Sequence, residues 1–322
     1  MTTSTPMTAL AAAAALAVTL AAQPPPAFHA EARLVVLHVT VTDRHGELIT
    51  NLDRGSFAVY ENGRPQAIAL FRRDDVPISL GLIIDNSGSM RSLRPRVEAA
   101  ALAFVRASNP LDEAFVVNFA DTPRIDVPLT NDIRVLEAGV ARVDAIGGTA
   151  MRDALLAAER YLRAHATHDR RALLVITDGH DNASTLSTSE CRTLVERSGA
   201  AIYAVRLVRD TTSADARGRD DELDRLAEVS GGTAEQIAAT SNIEQVAQEM
   251  AHRIRNEYTI AYAPANQALD GSYRAVRVKV TRPGGLTART RPGYWATPLP
   301  RVPYLPARRA TTLDPLVALR QQ

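Results

Sequence analysis

Residues 78–89 read Ile-Ser-Leu-Gly-Leu-Ile-Ile-Asp-Asn-Ser-Gly-Ser, and this stretch decides the fold. The run Ile78–Ile84 is apolar almost throughout, which predicts a strand buried on both faces of a sheet. Asp85 ends this strand, and Ser87 and Ser89 follow on alternate positions. The glycine between the two serines allows a tight loop, so the three polar side chains can turn toward one point.

Two later segments carry polar side chains at comparable places. Thr177-Asp178-Gly179 follows the apolar run Ala172–Ile176, and Gly147-Gly148-Thr149 opens a helical pattern. In an open α/β sheet, ligands bind at the carboxyl ends of the strands, near a switch in strand order. We therefore predict a site at one edge of the sheet, formed by Asp85, Ser87, Ser89, Thr149 and Asp178.

This predicted site offers only oxygen ligands, from carboxylates and hydroxyls. Hard divalent cations prefer such ligands, so the set predicts a Mg²⁺ site, with Mn²⁺ or Ca²⁺ as alternatives. Neutral hydroxyls balance little of the ion's charge, so the ion can accept an anionic oxygen from an Asp or Glu side chain of a protein partner. Taken singly, the same residues also fit helix caps and turns, and only their co-occurrence favours the metal site.

Two further residues stand at the same edge. His180 and Asp181 directly follow the Asp178-Gly179 pair. Functional side chains are frequent on loops of this kind. Both residues are therefore candidate contacts for a partner.

Between residues 76 and 256, short apolar strands alternate with amphipathic helices. This pattern predicts an α/β fold, with a doubly wound, mostly parallel sheet between helices and small β segments on either side. The predicted strands are Ile78–Ile84, Ala114–Phe119, Ala172–Ile176 and Ala201–Leu207. The predicted helices are Pro95–Ala107, Asp132–Val143, Ala150–Ala164, Thr188–Ser198, Asp221–Val229 and Asn242–Arg255.

The sequence on both sides of this domain alternates with the period of a strand. Residues 33–75 predict a small β segment with a hairpin turn at Asn62-Gly63, and residues 257–296 predict a second β segment. Residues 297–322 are rich in proline and arginine, which predicts a loosely ordered tail.

Residues 1–32 resemble a secretory leader followed by a linker. The apolar run Ala9–Ala22 is too short for a comfortable membrane span and stops at Pro24–Pro26. This layout predicts a protein secreted or exported to the periplasm or cell envelope. No basic residue precedes Arg33, so the leader lacks the usual basic start, and a disordered alanine-rich leader is the alternative.

Composition and motifs exclude several classes of function. The chain of 322 residues has 37 Lys and Arg against 36 Asp and Glu, so no global charge favours nucleic acid. The single cysteine, Cys191, excludes an intramolecular disulfide and cysteine-rich zinc sites. Neither a nucleophile elbow, a P-loop nor a dinucleotide-binding motif occurs, so we predict that the protein is not an enzyme. We also predict no stable membrane span.

Residues 78–256 resemble a von Willebrand factor type A domain. Its metal-ion-dependent adhesion site has a DxSxS element, a threonine and a later aspartate, which fall on the five residues of the predicted site. The resemblance implies a mainly parallel sheet with one antiparallel edge strand, and cation-dependent protein binding without catalysis. Over residues 33–296, segments such as Tyr258-Thr-Ile-Ala-Tyr and Arg291-Pro-Gly-Tyr-Trp resemble a bacterial group of von Willebrand factor A-related proteins, which are usually exported.

Three hypotheses of function follow from the sequence. The first is an exported module that captures an acidic side chain of a protein through a divalent cation. The second is a metal-assisted hydrolase or phosphatase, in which Asp85 or Asp178 serves as nucleophile or base. The third is a structural subunit, in which the metal only pins three loops together. The complete set of ligands and the lack of a separate acid or base favour the first.

Overall fold

The apolar segments found in the sequence form the central sheet of the protein. The structure is a computed structural model that describes residues 33–73, 75–141, 146–178, 181–208, 221–238 and 241–297. The strands are, in chain order, β1 Val35–Thr42, β2 Phe57–Glu61, β3 Arg64–Gln66, β4 Ile68–Arg72, β5 Ile78–Asp85, β6 Glu113–Phe119, β7 Pro123–Thr130, β8 Arg170–Thr177, β9 Ala201–Val208, β10 Ala234–Ala238, β11 Tyr258–Tyr262, β12 Tyr273–Val280, β13 Thr287–Arg289 and β14 Gly293–Trp295. The helices are α1 Arg94–Ala107, α2 Ile133–Val140, α3 Met151–His165, α4 Thr188–Arg197, α5 Asp221–Ser230 and α6 Ile243–Arg255.

The central sheet has the strand order β10-β9-β8-β5-β6-β7. All neighbouring strands are parallel except β6 and β7, which pair antiparallel. The chain builds the sheet outward from β5 in both directions, so the strand order switches beside β5. This arrangement confirms the predicted α/β fold and places the carboxyl ends of β5 and β8 next to each other.

Helices cover both faces of this sheet. Strand β5 is buried along its whole length, as its apolar sequence predicts. Leu80, Leu82 and Ile84 pack on one side, in a core shared with α1, α2 and α6. Ile83 packs on the other side, in a core shared with α3, α4 and α5. Burial on both faces explains why the sheet strands lack polar alternation.

Two strands of the central sheet are missing from the sequence prediction. Strand β7 carries Pro123 and Pro128 and is only partly buried, as an edge strand can be. It is the antiparallel edge strand that the family resemblance implies. Strand β10 forms the opposite edge and has a mostly half-buried sequence. Edge strands lack the continuous apolar run that marks the central ones, so the sequence pattern does not show them.

The two flanking β segments share their sheets. One four-stranded sheet has the order β13-β1-β11-β4, and the other has the order β14-β12-β2-β3. Each sheet therefore combines strands from residues 33–75 with strands from residues 257–296. The sequence pattern predicts these two ranges as separate β segments. Their inner faces enclose one core that includes Leu37, Val59 and Tyr258. A short segment with one apolar face has too few strands for a core, so each segment needs the other.

The β sheets and the α/β domain meet at a buried charged residue, Glu257. It stands between α6 and β11 and forms an ion pair of 2.6 Å with Arg170 at the start of β8. Its other oxygen accepts hydrogen bonds from the hydroxyls of Thr40 on β1 and Tyr203 on β9. Burial, followed by the charge of Glu257, raises the pKa of the Tyr203 phenol, so this hydroxyl stays protonated and donates.

Replacing Glu257 by glutamine tests how much the contacts of Glu257, which we call the Glu257 joint, stabilise the fold. The variant leaves the Arg170 guanidinium buried without its carboxylate, so we expect a loss of about 3 kcal/mol of unfolding free energy in urea denaturation. Glu249→Gln on the exposed face of α6 is the matched control and should cost less than about 0.5 kcal/mol. Equal stability of the two variants would show that the joint contributes nothing.

Candidate functional site

Three loops meet at the carboxyl edge of the central sheet, between β5 and β8. The two strands pair in register up to Ile84 and Ile176. Asp85 is the last residue of β5, and Asp178 directly follows β8. The edge-to-edge placement follows from the parallel pairing of two buried strands, which brings both carboxylates to the same point of the sheet.

Asp85 fixes the first loop from inside the protein. Its carboxylate is fully buried, and its Oδ1 accepts the backbone N–H of Ser87 at 2.8 Å. Its Oδ2 accepts the hydroxyl of Thr177 at 2.6 Å, which ties the loop to the end of β8. Because both oxygens are engaged, the carboxylate has one orientation and determines where the following serines lie.

The side chains of Ser87, Ser89 and Asp178 form a continuous row. The two serine hydroxyl oxygens are 3.0 Å apart. The Ser89 hydroxyl donates to Asp178 Oδ1 at 2.8 Å, across from the first loop to the third. The structure thus brings together four of the predicted residues, Asp85, Ser87, Ser89 and Asp178, in a single hydrogen-bonded cluster.

Thr149 lies on the second loop, which contacts the first. The backbone N–H of Gly88 donates to the carbonyl of Gly147 at 3.1 Å, and Gly147 has a φ of 98°, which favours glycine. Thr149 is buried, and its backbone N–H and carbonyl are both bonded to Asn182 of the third loop, at 2.8 and 3.0 Å. The predicted threonine therefore lies between the two other loops.

Three supporting residues of the site escape the sequence prediction. Thr177 holds the buried carboxylate of Asp85, and Asn182 caps the backbone of Thr149. Asp121 accepts the N–H of Gly148 at 2.7 Å and so shapes the second loop. Each of them follows or ends a buried strand at the same edge, and that position is the signal by which they could be found.

Of the two candidate partner contacts, His180 and Asp181, the structure describes only Asp181. His180 lies outside the described residues. The side chain of Asp181 is only 1% exposed and forms an ion pair with Arg152 at 3.1 Å. It also accepts the backbone N–H groups of Arg152, at the start of α3, and of Ser184. These contacts show that the Asp181 carboxylate holds the loop against α3, and its contact with a partner stays a prediction.

The site concentrates negative charge. Burial raises the pKa of Asp85, and the charge of Asp178 raises it further, while the hydrogen bonds from Thr177 and Ser87 act in the opposite direction. Among the described residues, neither carboxylate forms an ion pair with a basic side chain. An ionised Asp85 is therefore costly in the fold, since a buried charge without a counter-charge is unfavourable.

The oxygen spacing fits a small hard cation. An octahedral Mg²⁺ with bonds of about 2.1 Å separates neighbouring ligand oxygens by about 3.0 Å. The serine oxygens are 3.0 Å apart, and Ser89 Oγ is 2.8 Å from Asp178 Oδ1. Within the described ranges, no group of three or more His, Cys, Asp or Glu side chains could hold a metal, so a cation here depends on the hydroxyls.

Asp85→Asn tests the cost of the buried charge. The folded protein raises the pKa of Asp85 above its ordinary value of 3.8, so the ionised carboxylate destabilises the metal-free fold above that pH. The cost disappears as the pH falls below the ordinary value. We expect the variant to have a higher melting temperature than the parent in EDTA at neutral pH, and the same melting temperature near pH 3, roughly one unit below the ordinary value.

The control for this calorimetric test is Asp132→Asn. Asp132 is the N-cap of α2 with a side chain 42% exposed, and the hydrogen bond from the Arg134 backbone lowers its pKa. Its replacement should not raise the melting temperature at neutral pH. A lower melting temperature for Asp85→Asn at neutral pH would contradict the electrostatic account.

The comparisons with known proteins agree with the fold. The family model of the von Willebrand factor type A domain matches residues 80–180, which contain all three loops of the site. No curated protein sequence matches the chain significantly.

Several solved structures are similar to the chain. A von Willebrand factor type A protein from Catenulispora acidiphila is 16% identical, with 75% of this chain and 72% of that chain covered and a TM-score of 0.50. The conserved hypothetical protein BatB from Bacteroides thetaiotaomicron is 16% identical over 55% of this chain and 98% of its own, with a TM-score of 0.44. The vWF domain of the type V pili tip protein Mfa5 from Porphyromonas gingivalis is 12% identical over 56% of this chain and 97% of its own, also with a TM-score of 0.44. The likeness to a von Willebrand factor type A domain is thus placed by the family model on residues 80–180.

Proposed function

We propose that the cluster at the carboxyl edge binds a divalent cation, and that the cation captures an Asp or Glu side chain of a partner protein. Mg²⁺ is the proposed ion, with Mn²⁺ and Ca²⁺ as alternatives. The observation that carries the proposal is the row of Ser87, Ser89 and Asp178 oxygens at 2.8–3.0 Å spacing in front of the buried Asp85. The type A domain match supports a role in protein interaction.

The burial of the five residues supports a site that opens on one side. Asp85, Ser87 and Thr149 are buried, whereas Ser89 is exposed and Asp178 is half-buried. A cation bound among them would therefore have protein ligands behind it and solvent in front. A side chain from another protein can reach such an open position, and an enclosed site would exclude it.

The charges of the ligands favour an anionic partner. Hydroxyl ligands from Ser87, Ser89 and Thr149 add no negative charge. Both oxygens of Asp85 already accept hydrogen bonds, which leaves Asp178 as the carboxylate on the open side. A dication in this setting keeps positive charge for an incoming carboxylate. When bound, the ion supplies that electrostatic attraction, and the chain's own residues hold the loops in place.

We also propose that the protein acts outside the cytoplasm. Export to the envelope, the periplasm or the medium rests on the leader-like residues 1–32, which lie outside the described residues. None of the described helices has the length and apolar character needed to cross a membrane.

The metal-assisted hydrolase is the second hypothesis of function. Mg²⁺-dependent turnover of generic phosphate or ester substrates, lost in Asp178→Ala, would favour it over protein binding.

Isothermal titration of Mg²⁺ into EDTA-treated protein tests the cation site. We expect one binding site, and we expect Ser89→Ala to weaken the affinity by more than about tenfold because it removes a ligand. Ser92→Ala is the matched control, since Ser92 is an exposed serine at the end of the same loop. Equal affinity of the Ser89 and Ser92 variants would contradict the assignment.

Capture of a partner tests the second half of the proposal. A pull-down from the native envelope fraction should recover a partner with Mg²⁺ present and lose it in EDTA or with Ser89→Ala. Substitution of a single Asp or Glu of that partner should abolish capture, because the cation needs its carboxylate. Capture that persists in EDTA, with only the melting temperature reduced, would instead support the structural-subunit hypothesis.

A further inference from the structure

A second concave site lies far from the loops of the cation site, between the β sheets and the α/β domain. Its cavity has a volume of about 600 Å³, and a side lobe of about 210 Å³ adjoins it. The two share Leu34, Val36, Gly199 and Arg291 as common wall, so they form one cleft. Small-molecule sites in proteins usually have a volume of about 300–1,000 Å³.

The floor of the cleft is the outer face of the sheet that contains β1, β11 and β4. Strand pairing arranges this face in two rows. Val36, Ala261 and Leu70 are register partners and form an apolar row. His38, Thr259 and Arg72 are register partners and form a polar row. A floor with an apolar half and a polar half suits a ligand that has both characters.

Beyond Val36, the side chains on this face of β1 become more buried along the strand. Leu34 and Val36 are 44% and 47% exposed, His38 is half-buried, and Thr40 is 6% exposed and bonded to Glu257. The cleft therefore deepens from an apolar entrance to a polar end.

The opposite wall comes from the α/β domain and includes several small residues. Gly199, Ala201, Ser230 and Gly231 line it. Gly231 has a φ of 91°, and a Cβ there would lie 2.6 Å from the backbone nitrogen of Arg291. The turn at Gly231 thus packs directly on the backbone of Arg291 and sets the width of the cleft.

Several polar groups of the cleft have unused hydrogen-bonding capacity. The His38 Nδ1 and Thr290 Oγ1 atoms are buried and have no hydrogen-bond partner in the described part of the chain. Burial lowers the pKa of His38 to about 4, so the imidazole is neutral at neutral pH and adds hydrogen bonding without charge. Buried polar atoms of this kind normally find a partner, and for these two atoms it is not among the described residues.

Arg291 supplies the charge of the cleft. Its Nε donates to the carbonyl of Gly293 at 2.8 Å, and its Nη2 donates to the carbonyl of Glu196 at 3.0 Å. No carboxylate of the described residues forms an ion pair with it, and burial lowers its pKa. Arg72 and Asp169, which have opposite charges, also line the cleft, as does Arg170, which is paired with Glu257. Arg291 is thus a cation of the cleft to which an anionic ligand can bind.

We propose that this cleft binds a small organic carboxylate with an apolar body. The carboxylate pairs with Arg291 and lies near His38, and the apolar body covers the apolar row. A guanidinium recognises a carboxylate well because its N–H groups match the two carboxylate oxygens. The proposal is independent of the cation site and of the function proposed for it.

Titration with octanoate tests the proposal on the full-length protein in EDTA, which removes any carboxylate binding through a metal ion. Calorimetry should show one saturable site, and the fluorescence of Trp295, the single tryptophan, should change because it lines the side lobe. Octan-1-ol and octylamine are the controls. Octanoate should bind at least about tenfold more tightly than octan-1-ol, because only the anion pairs with the guanidinium.

Substitutions at Val36 separate the charge effect from misfolding, since this residue is an exposed position on the strand. Val36→Asp should weaken octanoate binding by about tenfold or more relative to Val36→Asn, and Val36→Lys should not weaken it relative to Val36→Asn. Arg291→Gln should abolish the preference for octanoate over octan-1-ol, and Arg291→Lys should keep part of it. Absence of saturable binding, equal affinity for octanoate and octan-1-ol, or equal affinity of the Asp and Lys variants would overturn the proposal.

Discussion

The buried carboxylate of Asp85 is the constraint on which the candidate site depends. It ends the central strand β5 and holds the Ser87 backbone with one oxygen and the Thr177 hydroxyl with the other. Two loops that are distant in sequence are thereby fixed to one another. The same burial makes the negative charge unfavourable, and the neighbouring Asp178 adds to it. The cation that we propose would offset this negative charge and bind the serine oxygens beside it.

The scaffold explains why the three loops converge. Strand β5 lies between β6 and β8 in a parallel sheet, so the loops that leave these strands share one edge. Apolar packing on both faces of β5 keeps the ends of the strands from shifting. The shared β sheets are joined to this domain through Glu257, whose charge is balanced by Arg170. Their inner core is separate from the cores of the α/β domain, and their outer face forms the floor of the Arg291 cleft.

Much of the fold and the outline of the site follow from the sequence, because buried parallel strands have continuous apolar runs and their ends carry the polar residues. Asp85, Ser87, Ser89 and Asp178 were found in this way, and the structure brings them together. The edge strands β7 and β10 lack such runs, and no local pattern shows that residues 33–75 pair with residues 257–296. The ion pair of Asp181 with Arg152 joins a loop to α3, so only the structure shows it. The Arg291 cleft likewise arises only when two distant parts of the chain meet.

The central claim is that the hydroxyl and carboxylate oxygens at the edge of β5 and β8 hold a divalent cation. Anomalous diffraction from crystals grown with Mn²⁺ tests this claim most directly, because it locates the ion without reference to a partner. The account predicts one strong peak within bonding distance of the Ser87 and Ser89 hydroxyls, in the parent protein and not in Ser89→Ala. A strong peak elsewhere with none at this edge would contradict it.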